Sequence, residues 1–306
     1  MTVTRQDIEL AAERIAGRIR RTPVLQVLPT LTFKLELLQH VGSFKPRGAF
    51  NRLLVAKEEG ALSGQGVVAA SGGNAGLAVA YAARELGVPA RIFVPQTAPA
   101  AKIARLRTLD ADVMQVGSEY ADAYAAAVVA CEESEALLVH AYDQPEIVAG
   151  QGTLGLELEG QLAGFDTVLV AVGGGGLIGG IAAAVGDQAR VVGVEPELAP
   201  TLHRAIEAGQ PIDVQVGGIA ADSLGARRLG SLAYQAVVAQ GVQSILVAED
   251  AIIAARQELW QDYRLAVEHG GATAHAALLS GAYRPEPEER VVVILCGANT
   301  TPSDLT

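Results

Sequence analysis

Short apolar stretches and helix-like stretches alternate along this chain, and that alternation constrains the fold more than any other feature of the sequence. Runs rich in Val, Ile and Ala at 66–70, 90–95 and 111–116 are separated by segments of helical periodicity at 74–86 and 99–108. Strands and helices that alternate at this spacing are typical of βαβ units, whose strands pair in parallel. The sequence therefore predicts an α/β protein, with helices flanking twisted sheets that are parallel or mixed.

The alternation continues through the rest of the chain. Further strands are predicted at 136–141, 167–172, 190–195, 244–248 and 290–295, and further helices at 4–20, 119–134, 145–163, 197–209, 224–240 and 249–264. No internal repeat or low-complexity linker interrupts the pattern, so the sequence marks no sharp domain boundary.

Composition and charge narrow the classes of function. The 306 residues are 50% hydrophobic and carry a formal net charge of −11, with no run rich in Lys or Arg. Such acidity opposes binding to a phosphate backbone. We therefore expect a small-molecule partner and no nucleic acid.

Membrane and export signals are missing from the sequence pattern. The most apolar run, 168–185, is broken by glycines, and the N-terminal segment lacks the continuous apolar core of a signal peptide. Cys131 and Cys296 form neither a disulfide framework nor a zinc motif. These features predict a cytoplasmic protein that does not bind membranes.

Three loops rich in small residues follow predicted strands. They read ASGGNAG (70–76), VGGGGLIGG (172–180) and CGANT (296–300). Open α/β sheets bind their ligands outside the carboxyl ends of the strands. Three such loops at that edge predict a ligand site between them.

The four consecutive glycines at 173–176 predict an anion site. Backbone N–H groups without Cβ atoms beside them can wrap a phosphate, and the helix start adds positive potential. A tight strand–helix turn is the alternative, although four glycines exceed what a turn needs.

A dinucleotide site is the sharper rival for the same loop. Gly174, Gly176 and Gly179 satisfy G-x-G-x-x-G, and Glu195 lies about 20 residues on, where a ribose-binding acid would stand. An NAD-dependent oxidoreductase therefore remains an alternative at this point. Against it, the unit lies mid-chain and Pro196 follows the acid directly.

Two polar features remain to be explained. Lys45 stands before a predicted helix; a lysine there is either solvated or, if its amine is neutral, a nucleophile able to form a Schiff base. Ser71 and Asn74, with the N–H groups of Gly72 and Gly73, either cap the helix at 74–86 or form a nest for a carboxylate.

Five motifs appear in a fixed order. They are GSFKPRGA (42–49), SGGNAG (71–76), AGQGT (149–153), VGGGGLIGG (172–180) and CGANT (296–300). Together they closely resemble the pyridoxal-phosphate enzymes of the tryptophan-synthase-β fold, and most nearly the serine/threonine dehydratases. The resemblance extends from about residue 7 to about residue 300.

The resemblance implies a cofactor, pyridoxal 5'-phosphate, and a role for each matching residue. Lys45 would hold the cofactor as a Schiff base, and Phe44 would pack near its ring. The amides of Gly173, Gly174, Gly175, Gly176 and Leu177 would hold the phosphate. Asn74 would bond the phenolic oxygen, and Cys296 would face the pyridine nitrogen. Ser71, Gly72, Asn74 and Ala75 would grip the substrate carboxylate, with Lys45 and Ser71 as the catalytic residues.

The implied activity is β-elimination from L-threonine, L-serine or both, giving a 2-oxo acid and ammonia. A thiol at Cys296 is a weak partner for the ring nitrogen, which suits elimination; a buried small hydrophobe is the alternative. Related serine racemases carry a serine at the position of Gly72, so we expect little racemisation. Other possibilities are a hydroxy-aspartate dehydratase, a racemase, a β-replacement enzyme similar to cysteine synthase, or an inactive amino-acid-binding relative.

The resemblance also implies an organisation. We expect a large cofactor-binding domain formed by 1–61 and 139–306, a small mobile domain at 62–138, and a homodimer. The chain ends soon after CGANT, so we expect no regulatory domain and no feedback control by isoleucine. Only Asp222 stands near 215–222, where relatives carry metal-binding acids, so no metal is expected.

Three further expectations concern single segments or residues. The segment between Pro23 and Lys34 looks shorter than in typical relatives and is expected to be a trimmed surface connection. Lys34 and Glu36 are expected to pair at the surface. Glu268 is either near the cofactor ring or a structural acid at a helix start.

Overall fold

The computed structural model describes residues 2–301 and residue 305. Its strands are β1 Val24–Leu28, β2 Leu31–Lys34, β3 Val67–Ala70, β4 Ala90–Val94, β5 Asp112–Gln115, β6 Leu137–Leu138, β7 Thr167–Ala171, β8 Arg190–Pro196, β9 Gln243–Val247 and β10 Val291–Ile294. Its α-helices are α1 Arg5–Ile15, α2 Pro46–Glu58, α3 Asn74–Leu86, α4 Ala100–Arg107, α5 Tyr120–Ser134, α6 Pro145–Glu159, α7 Gly176–Val185, α8 Thr201–Ala208, α9 Ala221–Leu224, α10 Ser231–Ala239, α11 Glu249–Tyr263 and α12 His269–Leu279.

The strands form two sheets. The larger has the order β1-β2-β10-β7-β8-β9, and the smaller has the order β5-β4-β3-β6. Every pairing is parallel except the antiparallel pairing of β1 with β2. The predicted α/β class with parallel and mixed sheets is confirmed.

The centres of both sheets are covered by helices on each face. Every residue of β3, β7 and β10 is buried, which is the pattern of parallel strands between two helical layers. Because the strands are parallel, their carboxyl ends and the loops that follow them meet at one edge of each sheet. This arrangement brings the glycine-bearing loops toward a common site.

Most predicted elements are present with shifted ends. The helix predicted at 197–209 begins at Thr201, because β8 extends through Pro196 and the following residues turn before the helix. The helix predicted at 224–240 begins only at Ser231, since Gly225 and Gly230 lie in the connection from α9. The strand predicted at 136–141 is reduced to Leu137–Leu138.

The segment between Pro23 and Lys34 is not a surface connection, so that expectation was wrong. It forms the hairpin of β1 and β2, and β2 pairs in parallel with β10. Phe33 is fully buried. The hairpin therefore extends the large sheet by two strands.

The expected surface pairing of Lys34 and Glu36 was also wrong, because both side chains are fully buried. The Lys34 amine contacts Glu157 at 2.6 Å, and Glu36 accepts a 2.7 Å bond from Arg47. Arg47 also reaches Glu157 at 2.9 Å. Two cations and two anions thus neutralise one another inside the protein, which is how buried charge is tolerated.

Candidate active site

One pocket collects most of the residues predicted for the site. Those that line it are Phe44, Lys45, Asn74, Gly173, Gly174, Gly175, Gly176, Leu177 and Cys296. Ser71, Gly72 and Ala75 adjoin Asn74 in the chain but do not line this pocket. Tyr142, Ala171, Ser223, Leu224 and Glu268 complete the lining. A larger groove, lined by residues 197–217, contains none of the predicted site residues.

Lys45 directs its amine into the pocket. The residue stands immediately before α2, whose first residue is Pro46. Its Nζ donates a 2.8 Å hydrogen bond to the carbonyl of Ala141 and lies 5.1 Å from the centre of the Phe44 ring. Burial lowers the pKa of Lys45 to about 8, against the opposing charge of Glu268. The amine is therefore easily deprotonated, as a nucleophile or base requires.

The loop that carries Lys45 is fixed to the end of the large sheet. The N–H of Phe44 donates to the carbonyl of Cys296 at 3.2 Å, and Ser43 forms a bridge with Gly297. Just before it, Val41 has a φ of 52°, a strained value for a β-branched residue. The lysine thus lies beside the residues that follow β10.

The tetraglycine segment forms a sharp turn between β7 and α7. Gly175 has a φ of 88°, which favours glycine, and α7 begins at Gly176. A Cβ atom on Gly174 would overlap the ring of Tyr142, and one on Gly175 would lie 2.5 Å from Leu229. The N–H groups of a first helical turn have no partner within the helix. The same tetraglycine segment therefore forms both the tight turn and the set of free N–H groups that can bind an anion.

Glu195 is not available to a ribose. Its side chain is fully buried, and it accepts hydrogen bonds from the N–H groups of Leu202 and His203 and from the hydroxyls of Thr201 and Ser244. Because both carboxylate oxygens are already engaged inside the protein, the dinucleotide interpretation loses the acid on which it depended.

The loop before α3 is shaped by local hydrogen bonds. The Ser71 hydroxyl accepts a 3.2 Å bond from the N–H of Gly73, the residue preceding the helix. No side chain caps the helix itself. Asn74 instead donates to Glu268 at 2.7 Å and accepts from Asn299. The capping alternative therefore does not account for Asn74.

Burial controls the ionisation of two further pocket residues. It raises the pKa of the Cys296 thiol well above its usual range, so the sulfur is protonated at neutral pH. It also raises the pKa of Glu268 to about 7, although hydrogen bonds from Asn74 and Asn299 favour the carboxylate. The pocket thus contains a neutral thiol, a readily deprotonated amine and an acid that titrates near neutrality.

Sequence reasoning assigned residues 136–141 to a strand and did not predict that 140–143 form a turn at the site. His140 accepts hydrogen bonds at its Nδ1 from the N–H groups of Tyr142 and Asp143, which folds a turn after β6. The turn presents the Ala141 carbonyl to Lys45 and the Tyr142 ring to the tetraglycine segment. Its position at the end of a strand of the small sheet was the available signal.

Within residues 2–301 and 305, no group of three or more His, Cys, Asp or Glu side chains is arranged to hold a metal ion. Asp222 forms an ion pair with Lys102. No helix in the same described part of the chain is long and apolar enough to span a membrane.

This geometry, an amine and a glycine-rich helix start in one pocket at the edge of parallel strands, is that of an α/β enzyme with a phosphate-bearing cofactor. Residues 15–297 match the family described as "Pyridoxal-phosphate dependent enzyme". The chain belongs to this family, and its cofactor is pyridoxal phosphate.

Several known proteins are similar over nearly the whole chain. An L-threonine ammonia-lyase of Geobacter sulfurreducens is 37% identical over 303 residues, which cover 95% of this chain and 74% of that protein. A phenylserine dehydratase of Ralstonia pickettii is 36% identical over 312 residues, or 98% of this chain and 94% of that one. The structure of maize serine racemase superposes with a TM-score of 0.91 at 30% identity, covering 98% of this chain and 95% of that chain.

Proposed function

We propose that this protein is a pyridoxal-phosphate-dependent ammonia-lyase that removes the β-hydroxyl and the amine from L-threonine, L-serine or both. The observation that carries the proposal is the amine of Lys45, which lies in the same pocket as the tetraglycine segment. The names of the related threonine ammonia-lyase and phenylserine dehydratase support a β-hydroxy amino acid as the substrate.

The residues of the pocket fit the cofactor. The N–H groups of Gly173 to Leu177 and the start of α7 suit a phosphate, because both offer positive potential. Lys45 would bind the aldehyde, and Phe44 lies beside its amine. Cys296, neutral and buried, would face the ring nitrogen as a weak partner. Asn74 would donate to the phenolic oxygen.

The chain itself would supply the base. The amine of Lys45, with a pKa of about 8, can take the proton from the substrate Cα. Bound pyridoxal phosphate supplies the electron sink for the pair left on that carbon.

The loop that begins at Ser71 would hold the substrate carboxylate. Ser71, Gly72, Asn74 and Ala75 stand at the start of α3, where N–H groups and the helix dipole favour an anion. Ser71 is partly exposed. Binding there would orient Cα toward Lys45, and Ser71 acts in this way as the second catalytic residue.

Racemisation is the second candidate, because the maize serine racemase has a very similar fold. A racemase needs a proton donor on each face of Cα. Gly72 has no side chain with which to donate a proton, and this favours elimination.

The experiment is a panel of amino acids tested for 2-oxo acid release. We expect turnover of L-threonine or L-serine by a yellow protein that borohydride bleaches, and no colour in Lys45→Ala. Hydroxy-aspartate in the same panel tests the dehydratase alternative, and added thiols test β-replacement. A colourless wild-type protein, or an inactive yellow one, would contradict the proposal.

The organisation of the chain remains part of the proposal. The strands of the small sheet lie within 67–138, which supports a small domain at 62–138 and a large domain of 1–61 and 139–306. A homodimer in the cytoplasm is expected from the family resemblance, and light scattering of the purified protein tests the dimer.

A further inference from the structure

The pocket is lined by one acid among the described residues that enclose it. Glu268 directly precedes α12 and is only 7% exposed. Its carboxylate makes no hydrogen bond that caps its own helix. A buried carboxylate that does not cap its helix needs another reason to be buried, and its hydrogen-bond partners indicate one.

The partners of Glu268 are two asparagines. Its Oε1 accepts a 2.7 Å hydrogen bond from Nδ2 of Asn74, and its Oε2 accepts a 3.1 Å bond from the backbone N–H of Asn299. Nδ2 of Asn299 in turn donates to Oδ1 of Asn74. The Asn74 amide is therefore held at both ends, and its second N–H remains available to a ligand in the pocket.

These three residues connect separate parts of the fold. Asn74 begins α3, which packs on the small sheet. Asn299 follows β10 of the large sheet, and Glu268 directly precedes α12, which packs against the same sheet. Contacts through Glu268 therefore tie the small sheet to the large one directly over the pocket.

The hydrogen bonds of Glu268 to Asn74 and Asn299 depend on the charge of the carboxylate. An ionised carboxylate only accepts hydrogen bonds, and both N–H groups that face Glu268 need an acceptor. A proton on either carboxyl oxygen would make that oxygen a donor facing an N–H group, and one of the two hydrogen bonds would be lost. A pKa of about 7 means that both forms are populated at neutral pH.

The charged and titratable groups around Glu268 come from four elements. Lys45 precedes α2, Cys296 follows β10, Asp222 lies in α9 and Lys102 in α4. Asp222 raises and Lys102 lowers the pKa of Glu268, and these two are paired with each other. Cys296 is protonated and therefore uncharged. The charge of Glu268 raises the pKa of Lys45, so the ionised carboxylate and the ammonium favour each other.

We propose that Glu268 is a positioning residue, which in its ionised form aligns the Asn74 amide against the cofactor and holds α3 to the loop after β10. This proposal rests on the proposed function of the pocket. Asn74 acts on the cofactor, and Glu268 acts through Asn74.

The test compares Glu268→Gln with the wild-type holoenzyme. Glutamine offers one oxygen and one NH₂ group, so it can accept from Asn74 or from Asn299 but not from both. We expect kcat for L-threonine to fall by about ten- to a hundred-fold at pH 8, the effect of losing one hydrogen bond to a charged group. KM should change less than kcat.

The absorption bands of the bound cofactor give a readout that needs no turnover. In the wild type we expect the ratio of these bands to change with pH, with a midpoint near pH 7. Above that pH, where Glu268 is ionised, the ratio should stay at the value of the active enzyme. In Glu268→Gln this transition should be absent. Asn299→Ala removes the other partner of Asn74 and should shift the same bands.

Glu249→Gln is the matched control. Glu249 is also an acid at a helix start that accepts a backbone N–H, from Ile219 at 2.7 Å, and it does not line the pocket. This variant should keep the wild-type spectrum and pH profile. If Glu268→Gln folds, binds the cofactor and titrates like the wild type, the positioning role is wrong. A wild type that takes up no cofactor would instead refute the proposed function.

Discussion

Arg47 and Glu36 form a salt bridge of 2.7 Å in which neither side chain is exposed. Arg47 stands two residues after Lys45 in the chain, and Glu157 of α6 completes its charge balance. Burial opposes ionisation of Glu36, but the neighbouring guanidinium holds its pKa below the usual value. The start of α2, directly after Lys45, is thus anchored by charges that water does not screen.

Removing one member of this pair should destabilise the protein strongly. Arg47→Met leaves two glutamates facing one lysine, and Glu36→Gln leaves an excess cation. We expect each to lower the free energy of unfolding by roughly 3–5 kcal/mol, the cost of an uncompensated buried charge. Urea unfolding measures it. The double variant restores neutrality and should be more stable than Arg47→Met; an additive loss would contradict the buried network.

Lys45→Met should abolish cofactor binding and yet stabilise the apoprotein. The Lys45 amine has a pKa of about 8 in the folded chain, against about 10.4 for an ordinary lysine. The Lys45 side chain is partly accessible to solvent but largely desolvated. Below pH 8 the folded state must hold this ammonium, at a cost of at most about 3 kcal/mol, and the cost disappears as the pH rises toward 10.5. The gain in Tm of Lys45→Met over the wild-type apoprotein should therefore be largest below pH 8. A gain that does not change with pH would argue against the burial of the charge.

Gly174→Ala should damage the phosphate cradle. Its Cβ would overlap the ring of Tyr142, so we expect a loss of about 1–3 kcal/mol in stability and weaker cofactor binding, measured by absorbance titration. Gly64→Ala is the control, since nothing lies within 4 Å of its Cβ and its φ is not positive. Equal affinities in the two variants would show that the cradle tolerates a side chain.

Gly72→Ser should fold normally and increase racemisation. A Cβ there meets only Val94 at 3.5 Å and Lys102 at 4.0 Å, which are ordinary contacts. The wild type should release 2-oxo acid from L-serine with little D-serine, and the added hydroxyl should raise the fraction of D-serine. Gly72→Ala adds the same Cβ without a hydroxyl and should not. Substantial D-serine from the wild type would contradict the role assigned to this glycine.

The sequence predicted what depends on neighbouring residues. Helical periodicity and turn residues placed helix 74–86 with both ends correct, and short apolar runs placed most strands within a residue or two. Both signals are local, because they depend only on residues that are close together in the chain. Five motifs in order predicted the family and the cofactor, which are confirmed. The roles of the individual site residues stay predictions.

Tertiary structure alone decided the surroundings of those residues. Nothing near Lys34 and Glu36 in the chain indicates burial, since their partners, Glu157 and Arg47, belong to helices α6 and α2. The same applies to Asn74, whose amide is fixed by residues about 200 positions away. The amino-acid sequence determined which groups this protein has for holding a phosphate and an aldehyde. Folding determined their charge, because pKa and burial depend on long-range contacts that no local pattern encodes.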